Sequence, residues 1–366
     1  KKDILEMQLH RLTGLKQDKI ETEYEKKKKK IEYYNSILAS EEKLLEIIKE
    51  ELRELREKYK DERKTEIRDE EINLALEDLI EEEEVVISVT EDEYIKRMAV
   101  DTYRNQHRGG KGIIAMKTKA EDQVNKILAT STHDYLLFFT DQGNMYWLKG
   151  YQIPEASRQA KGVPIVNLLE LEEDESITTI QPINEFSEDK YLFMATKQGI
   201  VKKTQLTEFA TNYSKLIAVN LKEKDQLIDV AVTNGEQEVV LGTKNGLAIR
   251  FSETDVRPMG RTAQGVIGMG LDADDELVGI EVVESDQDLL VITNQGYGKR
   301  TPIKEYRKQI RGGKGLITLK QTETNGQVIA LQIVGEEDEL VLITRQGMLL
   351  RTSVSEISVT GRNTQG

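Results

Sequence analysis

Apolar residues follow two different rhythms along the chain, and the change comes near residue 85. Ile20, Tyr24, Lys27, Ile31, Tyr34 and Leu38 recur at alternating steps of four and three, as do Leu45, Ile48, Leu52, Leu55 and Tyr59 at three and four. That is a helical period. Residues 1–60 contain no Pro and a single Gly, Gly14, and are rich in Glu, Lys, Leu and Ile, which favour helix. Ser40 followed by Glu41 and Glu42 predicts an N-cap with acid in the first turn, so a new helix starts there. Stripes this narrow predict coiled-coil helices that pack on partner helices. From Val85 onward, short Val, Ile, Leu and Phe runs broken by Gly, Asn and Asp predict strands.

The strand region repeats. A turn signature recurs as Thr140-Asp-Gln-Gly143, Thr196-Lys-Gln-Gly199, Thr243-Lys-Asn-Gly246, Thr293-Asn-Gln-Gly296 and Thr344-Arg-Gln-Gly347, with a degenerate first copy at Thr90-Glu-Asp-Glu93. The steps from Thr to Thr are 50, 56, 47, 50 and 51 residues. Each signature lies between two apolar runs, as a hairpin turn with Gly at positive φ would. Counting 22 residues on from each Thr gives Gly112, Gly162, Ala218, Gly265, Gly315 and Gly366. Five glycines at six places is far above the chance level for 26 Gly in 366 residues. Such units bury their faces only against neighbours, so residues 85–366 are expected to form a ring or arc of six four-stranded blades. Gly366 ends the sequence at the marker of the sixth repeat, so the last blade is expected to be incomplete.

Composition narrows the chemistry. The chain has no Cys, and its three His (His10, His107, His133) are isolated, which removes disulfides, thiolate zinc sites and His-based metal clusters. No apolar run approaches a membrane span, and a cytoplasmic protein is expected. The formal charge of −14 argues at first against nucleic acid. Its distribution weakens the objection. Residues 1–70 balance at 19 bases and 19 acids, and residues 71–84 carry seven acids and no base. Residues 61–84 therefore read as an acidic linker, or as an internal mimic of DNA. Lys26 to Lys30 form either a nucleic-acid patch or a solvated helix face.

Bases also recur with the repeat. Lys96 and Arg97, Lys202 and Lys203, Arg250, Lys299 and Arg300, and Arg351 follow the turns at constant distance. The second repeat has Trp147 there instead, with Lys149 two residues on. A ladder of bases along one rim would track phosphates without reading sequence. Equally, strand-end bases protect sheet edges from aggregation. Ahead of the marker glycine, repeat one reads Gln106-His107-Arg108-Gly109-Gly110-Lys111-Gly112, and repeat five Gln309-Ile310-Arg311-Gly312-Gly313-Lys314-Gly315. Three glycines allow close backbone approach, and Arg and Lys add paired charge suited to a phosphodiester.

The first heptapeptide resembles the gyrase box, Gln-Arg-Arg-Gly-Gly-Lys-Gly, of the C-terminal domain of the DNA gyrase A subunit, with His107 in place of the first Arg. Leu12-Thr13-Gly14-Leu15, Ala39-Ser-Glu-Glu42, Asp61-Glu-Arg-Lys-Thr-Glu-Ile67, Gly162-Val-Pro-Ile-Val-Asn167, Gly298-Lys-Arg-Thr301 and Gly361-Arg-Asn-Thr-Gln-Gly366 are similar to segments of that family in the same order. The resemblance implies that residues 1–60 are the tail of the breakage-reunion core with the coiled-coil dimer gate. It implies that residues 85–366 are a six-bladed β-pinwheel that wraps double-stranded DNA for negative supercoiling. Partners implied are the gyrase B subunit and another copy of the A subunit in an A2B2 heterotetramer, with ATP and Mg²⁺ entering through the B subunit and no cofactor in this stretch. The family's cleavage tyrosine follows Ala-Arg, and none of the 13 Tyr here does, so no catalytic residue is expected. Alternatives are the A subunit of topoisomerase IV, whose C-terminal domain generally lacks an intact box, and a protein-binding propeller of the WD type, whose signatures are missing.

Overall fold

A computed structural model describes residues 14–60, 76–99, 124–157, 160–172, 174–283, 287–343 and 349–366. The box, residues 106–112, and the turn at 344–347 lie outside the described residues. The chain divides into two compact units, Lys1–Asn73 and Leu74–Gly366.

In the first unit, α1 (Gly14–Leu38) and α2 (Glu41–Tyr59) follow the heptad stretches. Ser40 caps α2 from an extended backbone, its Oγ accepting from the Lys43 N–H at 3.5 Å. Glu41 and Glu42 sit at the positive end of the helix dipole, and Arg56 and Lys58 at the negative end. Both stripes face outward: Tyr24, Ile31, Leu45, Leu52 and Leu55 are all exposed.

The second unit is an all-β propeller. Its six sheets start from six hairpins: Glu84–Thr90 with Tyr94–Ala99, Tyr135–Thr140 with Asn144–Lys149, Tyr191–Thr196 with Ile200–Gln205, Glu238–Thr243 with Leu247–Ser252, Asp288–Thr293 with Gly298–Pro302, and Glu339–Ile343 with Leu349–Ser353. The turn signatures explain the hairpins. Each Thr carbonyl accepts from the N–H three residues on, at 3.0 Å in the first five turns. The Thr Oγ1 accepts from the following residue, as in Leu247 N–H to Thr243 at 3.2 Å. Gly143, Gly199, Gly246 and Gly296 occupy positive φ, and in the degenerate first copy Glu93 takes that conformation at φ 58°.

A third strand adds to the first strand of each of the first five hairpins, with a bulge opposite the signature Thr. The fourth strand is borrowed. Val163–Pro164 pairs with Tyr94–Ala99, Lys215–Ile217 with Asn144–Lys149, Val266–Ile267 with Ile200–Gln205, and Leu316–Ile317 with Leu247–Ser252. Each short strand lies in sequence beyond the next hairpin, so adjacent sheets are interlaced. Among the described residues the fifth sheet has three strands and the sixth has two.

The marker glycines introduce the borrowed strands. A Cβ on Gly162, Gly265 or Gly315 would lie 2.5 Å from the carbonyl oxygen of Ile95, Val201 or Ala248 in the preceding sheet. Positive φ and this close approach together require glycine there. The apolar core lies between sheets: Phe193 and Ala195 of the third pack on Val239, Leu241 and Phe251 of the fourth. Both faces of an inner sheet are thus covered.

Candidate nucleic-acid interface

The periodic bases are largely interior. Lys96, Lys202, Lys203, Lys299 and Arg300 are buried, so the expected outward ladder does not form from them. Their repeat position has another cause. In the first five repeats the residue seven beyond the signature Thr donates to a backbone carbonyl after the next hairpin. Arg97 Nε reaches Ile153 O at 3.1 Å, Lys203 Nζ reaches Glu253 O at 3.0 Å, and Arg300 Nε reaches Ile357 O at 2.8 Å. Arg250 Nη1 spans Ile303 O at 2.9 Å and Tyr306 O at 3.2 Å. Trp147, the apparent exception, keeps the rule by donating Nε1–H to Tyr213 O at 3.0 Å. These donors tie each sheet to carbonyls of the following unit, of which Glu253 O and Ile303 O also accept from the N–H of Val256 and Tyr306.

Carboxylates complete the arrangement. Glu238 binds Arg250 at 2.6 Å and Lys308 at 3.1 Å. Burial alone would raise its carboxyl, but the two cations outweigh burial and hold it below the usual range. Burial pushes Lys202 down to about 7, with Arg261 adding to the effect, and Lys299 down to about 8. Lys149 is also buried; its Nζ lies 2.6 Å from Glu77, 2.9 Å from His133 O and 3.6 Å from the Tyr135 ring centre. Arg351 is exposed and paired with Glu339. The last part of the expected linker is docked: Thr132 Oγ1 accepts from Glu83 N–H and donates to Glu81 O, both at 3.0 Å.

A cluster of exposed bases lies instead on the loops that lead into two of the borrowed strands and on the corresponding last segment, 357–366. Residues 256–271, 306–321 and 357–366 carry eight bases and no acid. Arg257, Arg307, Lys308, Lys314 and Lys320 are exposed, and Arg261, Arg311 and Arg362 are half-buried. Lys314 contacts Asp272 at 2.5 Å with both side chains open to solvent, an arrangement of little energetic weight.

The loops touch in succession. Asn220 Nδ2 donates to Thr262 O at 2.6 Å, Gly312 N–H to Gly268 O at 2.6 Å, and Gly270 N–H to Gly313 O at 3.0 Å. Lys320 N–H then donates to Thr364 O at 2.9 Å. In the repeat-five copy of the box, Arg311 is half engaged, with Nε on Asp255 O at 3.0 Å and Nη1 on Ile267 O at 2.9 Å. The result is a continuous basic belt. Counting back four residues from the marker glycine would have found it, since Arg108, Arg158, Arg261, Arg311 and Arg362 all occupy that place and only repeat three differs, with Ser214.

Fold and belt define a class: an all-β propeller of interlaced sheets with a basic edge. A family model described as DNA gyrase C-terminal domain, beta-propeller, matches residues 84–131, 134–184, 190–234, 237–284, 287–334 and 338–366. The chain belongs to that family. It is 56% identical over 364 residues to the DNA gyrase A subunit of Halalkalibacterium halodurans, covering 99% of this chain and 44% of that protein. Identity to the DNA gyrase A subunit of Clostridium acetobutylicum is 52% over 364 residues, again 99% and 44%. The chain thus spans less than half the length of these curated relatives. A solved DNA gyrase A C-terminal domain superposes with TM-score 0.69 at 29% identity, covering 78% of this chain and 94% of that one. The C-terminal domain of a DNA topoisomerase IV gives 0.64 at 30% identity, covering 78% and 88%.

Proposed function

We propose that the propeller wraps double-stranded DNA along the arginine-bearing loops and so supports ATP-dependent negative supercoiling by a cytoplasmic type II topoisomerase. The observation that carries this reading is the belt: contiguous loops with eight bases and no acid on a chain whose overall charge is −14. Charge of that kind neutralises phosphates and binds with little sequence preference. Smooth bending of a 20–30 bp site by 40–90° costs on the order of 1–6 kcal/mol, so a wrap needs many phosphate contacts in series, which a belt supplies and a compact patch does not. Arg108 and Lys111 of the box extend the set by sequence.

In the assembly we envisage, the gyrase B subunit contributes ATP and Mg²⁺ chemistry, another copy of the A subunit completes an A2B2 complex, and strand cleavage belongs to the core upstream. Arg108→Ala with Lys111→Ala, placed in a full-length A subunit reconstituted with its B partner, is expected to abolish supercoiling while relaxation and decatenation persist. Retained supercoiling would refute the role of the box. A parent enzyme that decatenates but never supercoils would favour the topoisomerase IV reading, against which Gln106 to Gly112 stands.

A further inference from the structure

The residue six beyond the signature Thr is Lys96, Lys202 and Lys299 in repeats one, three and five, and Tyr146 and Ile249 in repeats two and four. All three lysines are buried, and each ends inside the arginine-bearing loop of the next unit. Lys299 Nζ lies 2.8 Å from Gly361 O, 2.6 Å from Arg362 O and 2.9 Å from Thr364 Oγ1. Lys202 Nζ binds Arg261 O directly and Ala218 O at 2.6 Å. Lys96 Nζ binds Ser157 O at 3.2 Å and Ala160 O at 2.9 Å, one on each side of Arg158 in sequence. Lys202 and Lys299 thus hold the backbone carbonyl of the arginine four places before the marker glycine.

The pairing also holds in its exceptions. Tyr146 belongs to the unit whose next loop has Ser214 at the arginine place, and the Tyr146 hydroxyl is spent on Glu175 at 2.8 Å. Ile249 packs near Gly313 of a loop whose Arg311 is held by its own guanidinium on Asp255 O and Ile267 O. Among the described arginines at that place, Arg261 and Arg362 each have a lysine on their backbone carbonyl, and Arg311 is anchored by its own guanidinium.

We propose that Lys202 and Lys299 are positioning residues for DNA, each fixing the loop backbone from which one phosphate-binding arginine projects. This rests on the reading of the belt as the DNA surface. The test is a double-mutant cycle on this chain, Lys299→Met, Arg362→Ala and both together, titrated with double-stranded DNA between 50 and 200 mM salt. Loss of one phosphate contact reduces the slope of log K against log[salt] by about 0.9, or roughly 3- to 4-fold in the affinity change over that range. Arg362→Ala is expected to show that reduction, Lys299→Met nearly the same, and the double variant no more than Arg362→Ala alone. Lys202→Met with Arg261→Ala repeats the cycle independently, so poor folding of one lysine variant does not leave the question open. An unchanged slope in both lysine variants, or losses that add in the double variants, overturns the positioning role while leaving the belt intact. Arginine variants that bind as the parent chain does overturn the belt, and the positioning role with it.

Discussion

Replacing Arg300 by Met separates an inter-sheet role from a DNA role at one of the periodic bases. Met keeps most of the side-chain stem and removes the guanidinium. The Nε–H bond to Ile357 O at 2.8 Å is lost, leaving a carbonyl without its donor, and Asp288 loses a partner at 3.4 Å. A hydrogen bond to a charged group contributes about 1.5–3 kcal/mol. The Asp288 pair, with Asp288 partly open to solvent, adds only about 0.2–1 kcal/mol. Together the loss is roughly 2–4 kcal/mol, which for a domain of this size lowers Tm by about 3–7 °C. Calorimetry of both chains measures it. Because Arg300 is buried and holds Ile357 O, five residues before Arg362, whereas Lys299 holds Arg362 O itself, the salt slope of DNA binding is expected to stay where it is. Unchanged stability combined with a slope shallower by about one would refute the assignment and restore Arg300 to the phosphate-contacting set.

Two further outcomes follow from the backbone and from a buried carboxyl. Gly315→Ala puts a Cβ 2.5 Å from Ala248 O at φ 78° and is expected to cost about 1–3 kcal/mol, whereas Gly260→Ala, with nothing within 4 Å, is expected to be neutral or slightly stabilising in the same denaturation assay. Burial raises Glu281 to about 8, with Asp229 adding to the effect and the bond from Ile333 N–H opposing it. The folded chain therefore holds a proton that the unfolded chain releases, and Glu281 contributes stability that is fully present below its unfolded value and lost as pH rises through about 8. Glu281→Gln should accordingly gain stability relative to the parent chain as pH rises from about 5 to 8, and calorimetric Tm values that track in parallel would show that Glu281 is not shifted.

The repeat architecture was legible because its constraints are local. A turn that needs Thr Oγ1 and a positive φ, and a strand entry that has no room for Cβ, fix residue types at set places, and counting finds them. The periodic bases were misleading for the opposite reason. In an ordinary two-layer sheet, alternation sends every second side chain outward. Here Ile200 to Thr204 are all buried, because neighbouring sheets cover both faces and borrowed strands cover the ends. A lysine run in such a strand looks like a surface signal, yet its partners are carbonyls 16 to 59 residues further along the chain, as in Lys202 to Ala218 and Arg261. No local pattern carries that information. The belt arginines were readable in principle, by their constant distance from the marker glycine. Only repeats one and five follow that arginine with Gly-Gly-Lys; Arg261 and Arg362 have a single preceding glycine, Gly260 and Gly361, and Arg158 has none, so the same place carries a weaker signal there.

Topology tests most directly whether the arginine loops wrap DNA. Nicked circular DNA is ligated in the presence of the chain, deproteinised, and its linking-number distribution compared with that of a variant carrying Arg257→Ala, Arg307→Ala and Arg362→Ala. All three side chains are open or half-open to solvent, so the fold is expected to persist in the variant. Wrapping by the belt requires a shift in linking number that grows with the amount of parent chain and is lost in the triple variant. Unshifted circles at saturating parent chain, or an undiminished shift with the variant, would rule out wrapping by these loops.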